Sequence, residues 1–131
     1  MQLFLYIDAC YGKSQLKSRV GNGLKGSEAS ESNACSITFN FAPSIVYPFG
    51  NMSGKSIYLI YRNYSYAVIM DSLSTSYTQA YWYSYRDSYN YMKKSSDGKT
   101  LYWYCNDPYV SLNAESFANG DGATYYFLGI A

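Results

Sequence analysis

Histidine is absent from all 131 residues, which removes both the commonest general base near neutral pH and the commonest metal ligand. Charge is also scarce: Asp, Glu, Lys and Arg make up 15% of the chain, and the formal net charge is +1. Such a balance offers neither the basic footprint that displaces counterions from DNA nor strong attraction to anionic lipid, so nucleic acid and membrane are excluded as expected partners. No segment approaches the ~20 consecutive apolar residues of a membrane span, because Ser, Asn and Tyr interrupt every run. The apolar stretch from Met1 to Ile7 is short, follows no basic residue and enters Asp8 without a small-residue cleavage site, so it does not read as a signal peptide and a soluble protein is expected. The three cysteines, Cys10, Cys35 and Cys105, are an odd set at wide spacing that fits neither a disulfide framework nor a paired Cys-x-x-Cys zinc site. Buried free thiols in a chain made in a reducing cytoplasm are the expectation, and no cofactor or metal is implied.

The chain does hold the size and the apolar content for one domain, with 48% hydrophobic residues available to a core. The clearest local pattern is Ser36 to Phe41, where Ile37, Phe39 and Phe41 alternate with short polar residues in the period of a half-buried strand that Pro43 ends. Ile45-Val46-Tyr47 forms a second run that stops at Pro48, and the two runs could continue one strand through a kink at Pro43. Residues 56–61, 67–70 and 80–85 are rich in β-branched and aromatic side chains and read as further strands. From Tyr91 to Tyr104 the chain reads as a hairpin around Asp97-Gly98, a pair able to adopt the positive φ angles of a tight turn. The run from Thr124 to Ile130 is a last strand, with Tyr126, Leu128 and Ile130 on one face and Tyr125, Phe127 and Gly129 on the other; neither face suits water, which predicts cover on both. Helical spacing is nearly absent, apart from a possible short turn between Val110 and Ala118. Val20 to Ser32, rich in Gly, Ser and Glu, is a loop or linker, and no long repeat is visible. Many short strands separated by turn signals predict an all-β antiparallel sandwich with little or no helix.

Catalytic constellations are missing. The acids Glu115, Asp87, Asp71 and Asp107 are the candidates for a glycosidase pair, which needs two carboxylates roughly 5–9.5 Å apart. Asp97 and Asp121 each precede Gly in a turn context and are read as turn-forming. No Gly-x-Ser-x-Gly elbow accompanies the serines, and Gly21 to Gly26 lacks the spacing and surroundings of a phosphate-binding loop, so it is read as a turn. The unusual component is tyrosine, 18 residues within an aromatic content of 20%, crowded between Tyr58 and Tyr109 among Ser, Asn and Arg. Tyrosine joins a rigid stacking face to a hydroxyl at low entropic cost, and Ser and Asn add adaptable polar contacts, which is the composition of a binding surface. About half of these tyrosines are expected in the core or a subunit interface. The exposed, ligand-contacting set is read as Arg62, Asn63, Tyr64, Tyr66, Tyr77, Arg86, Tyr89, Asn90 and Tyr91.

Four segments taken together, residues 33–43, 94–104, 112–113 and 122–131, resemble the C-terminal domains of bacteriophage and prophage tail fibres. In these a Gly-rich loop leads into a strand ending near Phe-x-Pro, a variable middle follows, then a Ser-x-Asp-Gly-Lys-Thr hairpin, and a Tyr-rich strand finishes the chain. The resemblance covers Arg19 to Ala131, leaving residues 1–18 as an N-terminal strand or linker segment. This sequence closes on Gly129-Ile130-Ala131 where the family more often has Ala-x-Gly. The resemblance implies an H-type lectin-like sandwich, a homotrimer at the fibre tip of the virion, no catalytic residues, and binding of a bacterial surface glycan or protein through the variable middle. Competing readings are a retroelement-diversified binding protein, whose C-type lectin fold would bring helices and a Trp-Gly framework, a phage-tail polysaccharide depolymerase, and a purely structural trimerising module.

Overall fold

A computed structural model of the chain describes residues 13–49, 67–79, 90–106 and 118–131. They form eight strands: β1 (Ser14–Val20), β2 (Cys35–Thr38), β3 (Ile45–Phe49), β4 (Val68–Ile69), β5 (Thr78–Gln79), β6 (Asn90–Lys94), β7 (Thr100–Cys105) and β8 (Thr124–Ile130). Short 3-10 turns at Gly26–Glu28, Glu31–Asn33 and Met70–Ser72 are the helical pieces among the described residues. The strands make two four-stranded sheets, ordered β1-β8-β3-β4 and β2-β7-β6-β5, and every pairing is antiparallel. The expected all-β sandwich is therefore the fold. Residues 56–61, 80–85 and 110–117, read above as two strands and most of a short turn, lie outside the described residues. Ala118, the last residue of that turn, takes a φ of 59° and is not helical.

The core follows from alternation. On β7, Leu101, Trp103 and Cys105 point inward and are buried; from β2 come Cys35 and Ile37, from β8 Tyr125 and Phe127, from β3 and β4 Val46 and Val68. Each such apolar side chain contributes about 1.5–3 kcal/mol by leaving water. Trp103 of one sheet meets Phe127 of the other at 5.2 Å between ring centroids, so this pair joins the layers. Cys35 and Cys105 are both buried, as expected; burial raises the Cys35 thiol's pKa, against a smaller lowering by the Arg19 cation beside it. Cys10 lies outside the described residues.

Two strand readings are corrected. The runs on either side of Pro43 are not one kinked strand: β2 belongs to the second sheet and β3 to the first. Pro43 and Ser44 carry the chain across, and the Ser44 amide donates to the Ile130 carbonyl at 2.8 Å. Nor does the second run stop at Pro48, which pairs with Phe127 inside β3. β4 reaches only Ile45 and Val46, so from Tyr47 onward β3 is an edge among the described residues, where proline is tolerated. The last strand spans Thr124–Ile130 as read, and it lies in the centre of its sheet between β1 and β3. Tyr125 and Phe127 are fully buried, but the opposite face is only partly covered, with Tyr126 41% exposed and Leu128 9%.

β1 crosses the expected boundary at residue 18 and pairs with β8 along its whole length, from Ser14 opposite Ile130 to Val20 opposite Thr124. Its continuation is held by a polar clamp at one end of the sandwich. The buried Asn119 accepts from the Asn22 amide at 3.0 Å and from Arg19 Nη1 at 3.2 Å, and it donates to Asn22 Oδ1 at 2.8 Å and to the Leu24 carbonyl at 3.1 Å. Gly21 passes so close to the 119–120 backbone that a Cβ there would lie 2.2 Å from the Gly120 oxygen. The glycine-rich segment is thus structural, in keeping with its reading as a turn.

Candidate ligand-binding surface

The hairpin of β6 and β7 builds this surface. Asp97 accepts from the Ser95 hydroxyl at 2.6 Å and from the Lys99 amide at 3.0 Å; these bonds, the Ser95 one first, hold its carboxyl below the usual pKa. Gly98 adopts φ 73°, and the Ser95 amide reaches the Thr100 carbonyl at 3.0 Å. Asp97 itself does not take a positive φ, so the turn is longer than a two-residue loop and Gly98 alone supplies the left-handed residue. Its consequence is register: Lys93 lies opposite Tyr102 and Tyr91 opposite Tyr104. On the other side of β6, Gln79 lies opposite Tyr91 and Thr78 opposite Met92, which sets Tyr77 beside Lys93. On the far side of β7, Ser36 lies opposite Tyr102.

The outward face of the second sheet is therefore a grid of two rows. One runs Tyr77, Lys93, Tyr102, Ser36; the next runs Gln79, Tyr91, Tyr104. Adjacent strands lie about 4.8 Å apart, so Tyr77 and Tyr102 are separated by roughly 10 Å across Lys93. The Lys93 ammonium lies 4.8 Å from the Tyr77 ring centroid and 5.1 Å from that of Tyr102. Tyr104 is the fixed centre, 8% exposed, with Tyr91 stacked on it at 5.0 Å and Tyr77 edge-on at 5.1 Å. Tyr77, Tyr91, Lys93 and Tyr102 are half-buried, while Gln79 and Ser36 are exposed. Partial desolvation, followed by the nearby Glu31 carboxylate, pushes the Tyr77 pKa up to about 12, and the same two causes raise that of Tyr104. Both phenols keep their protons and remain hydrogen-bond donors at neutral pH.

Of the residues read from sequence as ligand-contacting, Tyr77 and Tyr91 stand together on this face. Asn90 is a correction: it is 5% exposed and takes the Met92 side of β6, since consecutive strand residues face opposite ways. Arg62, Asn63, Tyr64, Tyr66, Arg86 and Tyr89 lie outside the described residues. Lys93, Tyr102 and Tyr104 were missed, although a hairpin register counted outward from Gly98 pairs Lys93 with Tyr102 and period-2 alternation puts Tyr104 beside it.

Among the acids considered for catalysis, Asp71 is exposed in a 3-10 turn, while Asp87, Asp107 and Glu115 lie outside the described residues. Among the described residues no three His, Cys, Asp or Glu side chains cluster as metal ligands, and no helix is long and apolar enough to cross a membrane. Comparison with protein-family models, curated proteins and solved structures finds no match for this chain.

Proposed function

We propose that this domain is an adhesin, the host-receptor-binding part of a phage tail fibre, which recognises a bacterial cell-surface glycan or protein without chemical turnover. The observation that carries the reading is the tyrosine grid on the outer face of the second sheet: half-open ring faces fixed by a buried central tyrosine, edged with hydroxyl, amide and ammonium donors. Saccharides present apolar C–H faces beside hydroxyl edges, and such rings meet both. The sandwich fold and the ordered resemblance of residues 19–131 to fibre-tip domains support the same reading. With it go the homotrimer and the virion location that the resemblance implies, the chain being made in the bacterial cytoplasm.

Binding of the purified protein to a panel of bacterial cells and their isolated polysaccharides is the test. Tyr77→Ala and Tyr102→Ala should each weaken binding about tenfold or more, equivalent to ~1.4 kcal/mol, with the far-UV circular dichroism unchanged. Undiminished binding by both variants would remove the surface from the reading. New reducing ends on incubation with the bound polysaccharide would overturn the non-catalytic assignment. Light scattering after size exclusion should give three times 14.8 kDa, and a clean monomer contradicts the fibre-tip assembly.

A further inference from the structure

Among the described residues the grid has one cation, and its setting is unlike that of a solvated surface lysine. Lys93 is half-buried, and its ammonium lies between the Tyr77 and Tyr102 rings. Among the described residues no carboxylate lies within ion-pair distance of it and no acceptor takes its N–H donors, so the rings orient the charge without neutralising it. An ammonium carries three donors and no acceptor, and the Tyr77 hydroxyl beside it stays protonated at neutral pH. This row of the grid is therefore rich in donors and positively charged. Among the described residues, the acid whose field reaches the cluster is Glu31, which acts on Tyr77 and Tyr104.

Resting on the adhesin reading of this face, we infer that its ligand is an acidic saccharide, a sugar unit bearing a carboxylate. The carboxylate meets Lys93 while the sugar's C–H face lies on a flanking tyrosine ring. A single ammonium balances a single negative charge. A phosphomonoester near neutral pH carries more than one, and with Glu31 at the edge of the cluster the excess would go unbalanced. The flanking rings also exclude water from one side of the ion pair, which strengthens it relative to an exposed pair.

An array of bacterial polysaccharides, each printed native and after carboxyl reduction with carbodiimide and borohydride, tests this with the full chain. Polymers containing uronic or other carboxylate sugars should be bound and their reduced forms lost. Lys93→Gln should weaken binding about tenfold or more, and Lys93→Arg should restore most of it, which also shows that the Gln variant's loss is one of charge and not of folding. Binding that survives carboxyl reduction and Lys93→Gln overturns the acidic-sugar inference while leaving the adhesin reading intact. Binding confined to phosphorylated or sulfated polymers overturns the carboxylate class. Binding to no polysaccharide and to no bacterial cell removes this inference and the adhesin reading together.

Discussion

Two positions show how single atoms set the tolerance of this fold. At Gly129 a Cβ would fall 2.7 Å from Phe39 Cε1 and 2.8 Å from Cδ1, and Phe39 is itself 2% exposed, so the ring has little room to move. Gly129→Ala should destabilise the domain by about 1–3 kcal/mol through overpacking, read as a lower urea midpoint with an unchanged slope. A change within about 0.5 kcal/mol, the range of an ordinary surface substitution, would mean that Phe39 relocates freely. Tyr77 gives a dependence on pH. Its phenol is held neutral in the folded state, with a pKa of about 12 against an ordinary 10.0, so its contribution is complete below pH 10 and is lost as pH rises toward 12. The melting temperature should fall across that window, and Tyr77→Phe, which has no proton to lose, should shallow the fall. Equal slopes for the two proteins between pH 10 and 12 would contradict the raised value.

Elements close in sequence follow local rules, and the clamp at the end of the sandwich shows where those rules stop. Asn119 joins residues 97 positions away, and its bonds hold the entry of the Gly21–Gly26 loop against the turn before β8. Asn119→Ala removes four hydrogen bonds, each worth about 1 kcal/mol net, but water can reach the exposed Asn22 side. A loss of about 2–4 kcal/mol is expected by chemical denaturation, together with faster hydrogen exchange at the Asn22 and Gly23 amides. A loss below about 0.5 kcal/mol would show that the Gly21 backbone contact suffices alone. Nothing in the residues near position 119 announces this partner, and the same holds for the chain crossing at Pro43: a proline between two apolar runs marks a break without saying which sheet receives the next strand. By contrast, the β8 faces were legible because alternation is a property of neighbours, and the hairpin was legible because Gly98 needs a positive φ. The candidate surface falls between these cases. Its β6 and β7 columns follow from hairpin register, whereas β5 joins them through a pairing that no local signal specifies. Asn90 was misread because polarity was taken as exposure, when the parity of the strand put it on the inner side.

At the scale of the whole molecule, neither sheet can keep its inner face out of water without the other, and the contact between them converges on Trp103. That ring is 1% exposed, faces Phe127 across the layers at 5.2 Å and has the Arg19 guanidinium 5.2 Å from its centroid. Arg19 in turn bonds to Asn119 and to the Ala118 carbonyl, so the aromatic core and the polar clamp share a side chain. Loosening either should loosen both, which makes one cooperative transition the expectation and not separate melting of two sheets. Trp103→Leu keeps an apolar side chain but opens space beside Phe127 and removes the surface on which Arg19 rests. The cost should be about 2–4 kcal/mol, near the lower part of the range for truncating large core aromatics, a sizeable share of a typical 5–15 kcal/mol total. In a Trp82→Phe background, leaving Trp103 as the sole indole, the urea transitions followed by fluorescence and by far-UV circular dichroism should superimpose. If fluorescence changes well before the sheet signal, the layers part while their strands persist, and the single-core account fails. Because the Tyr77–Lys93–Tyr102 row lies on the opposite face of the sheet whose inner side Trp103 anchors, that experiment also bears on the binding surface: its geometry should last to the global transition and disappear with it.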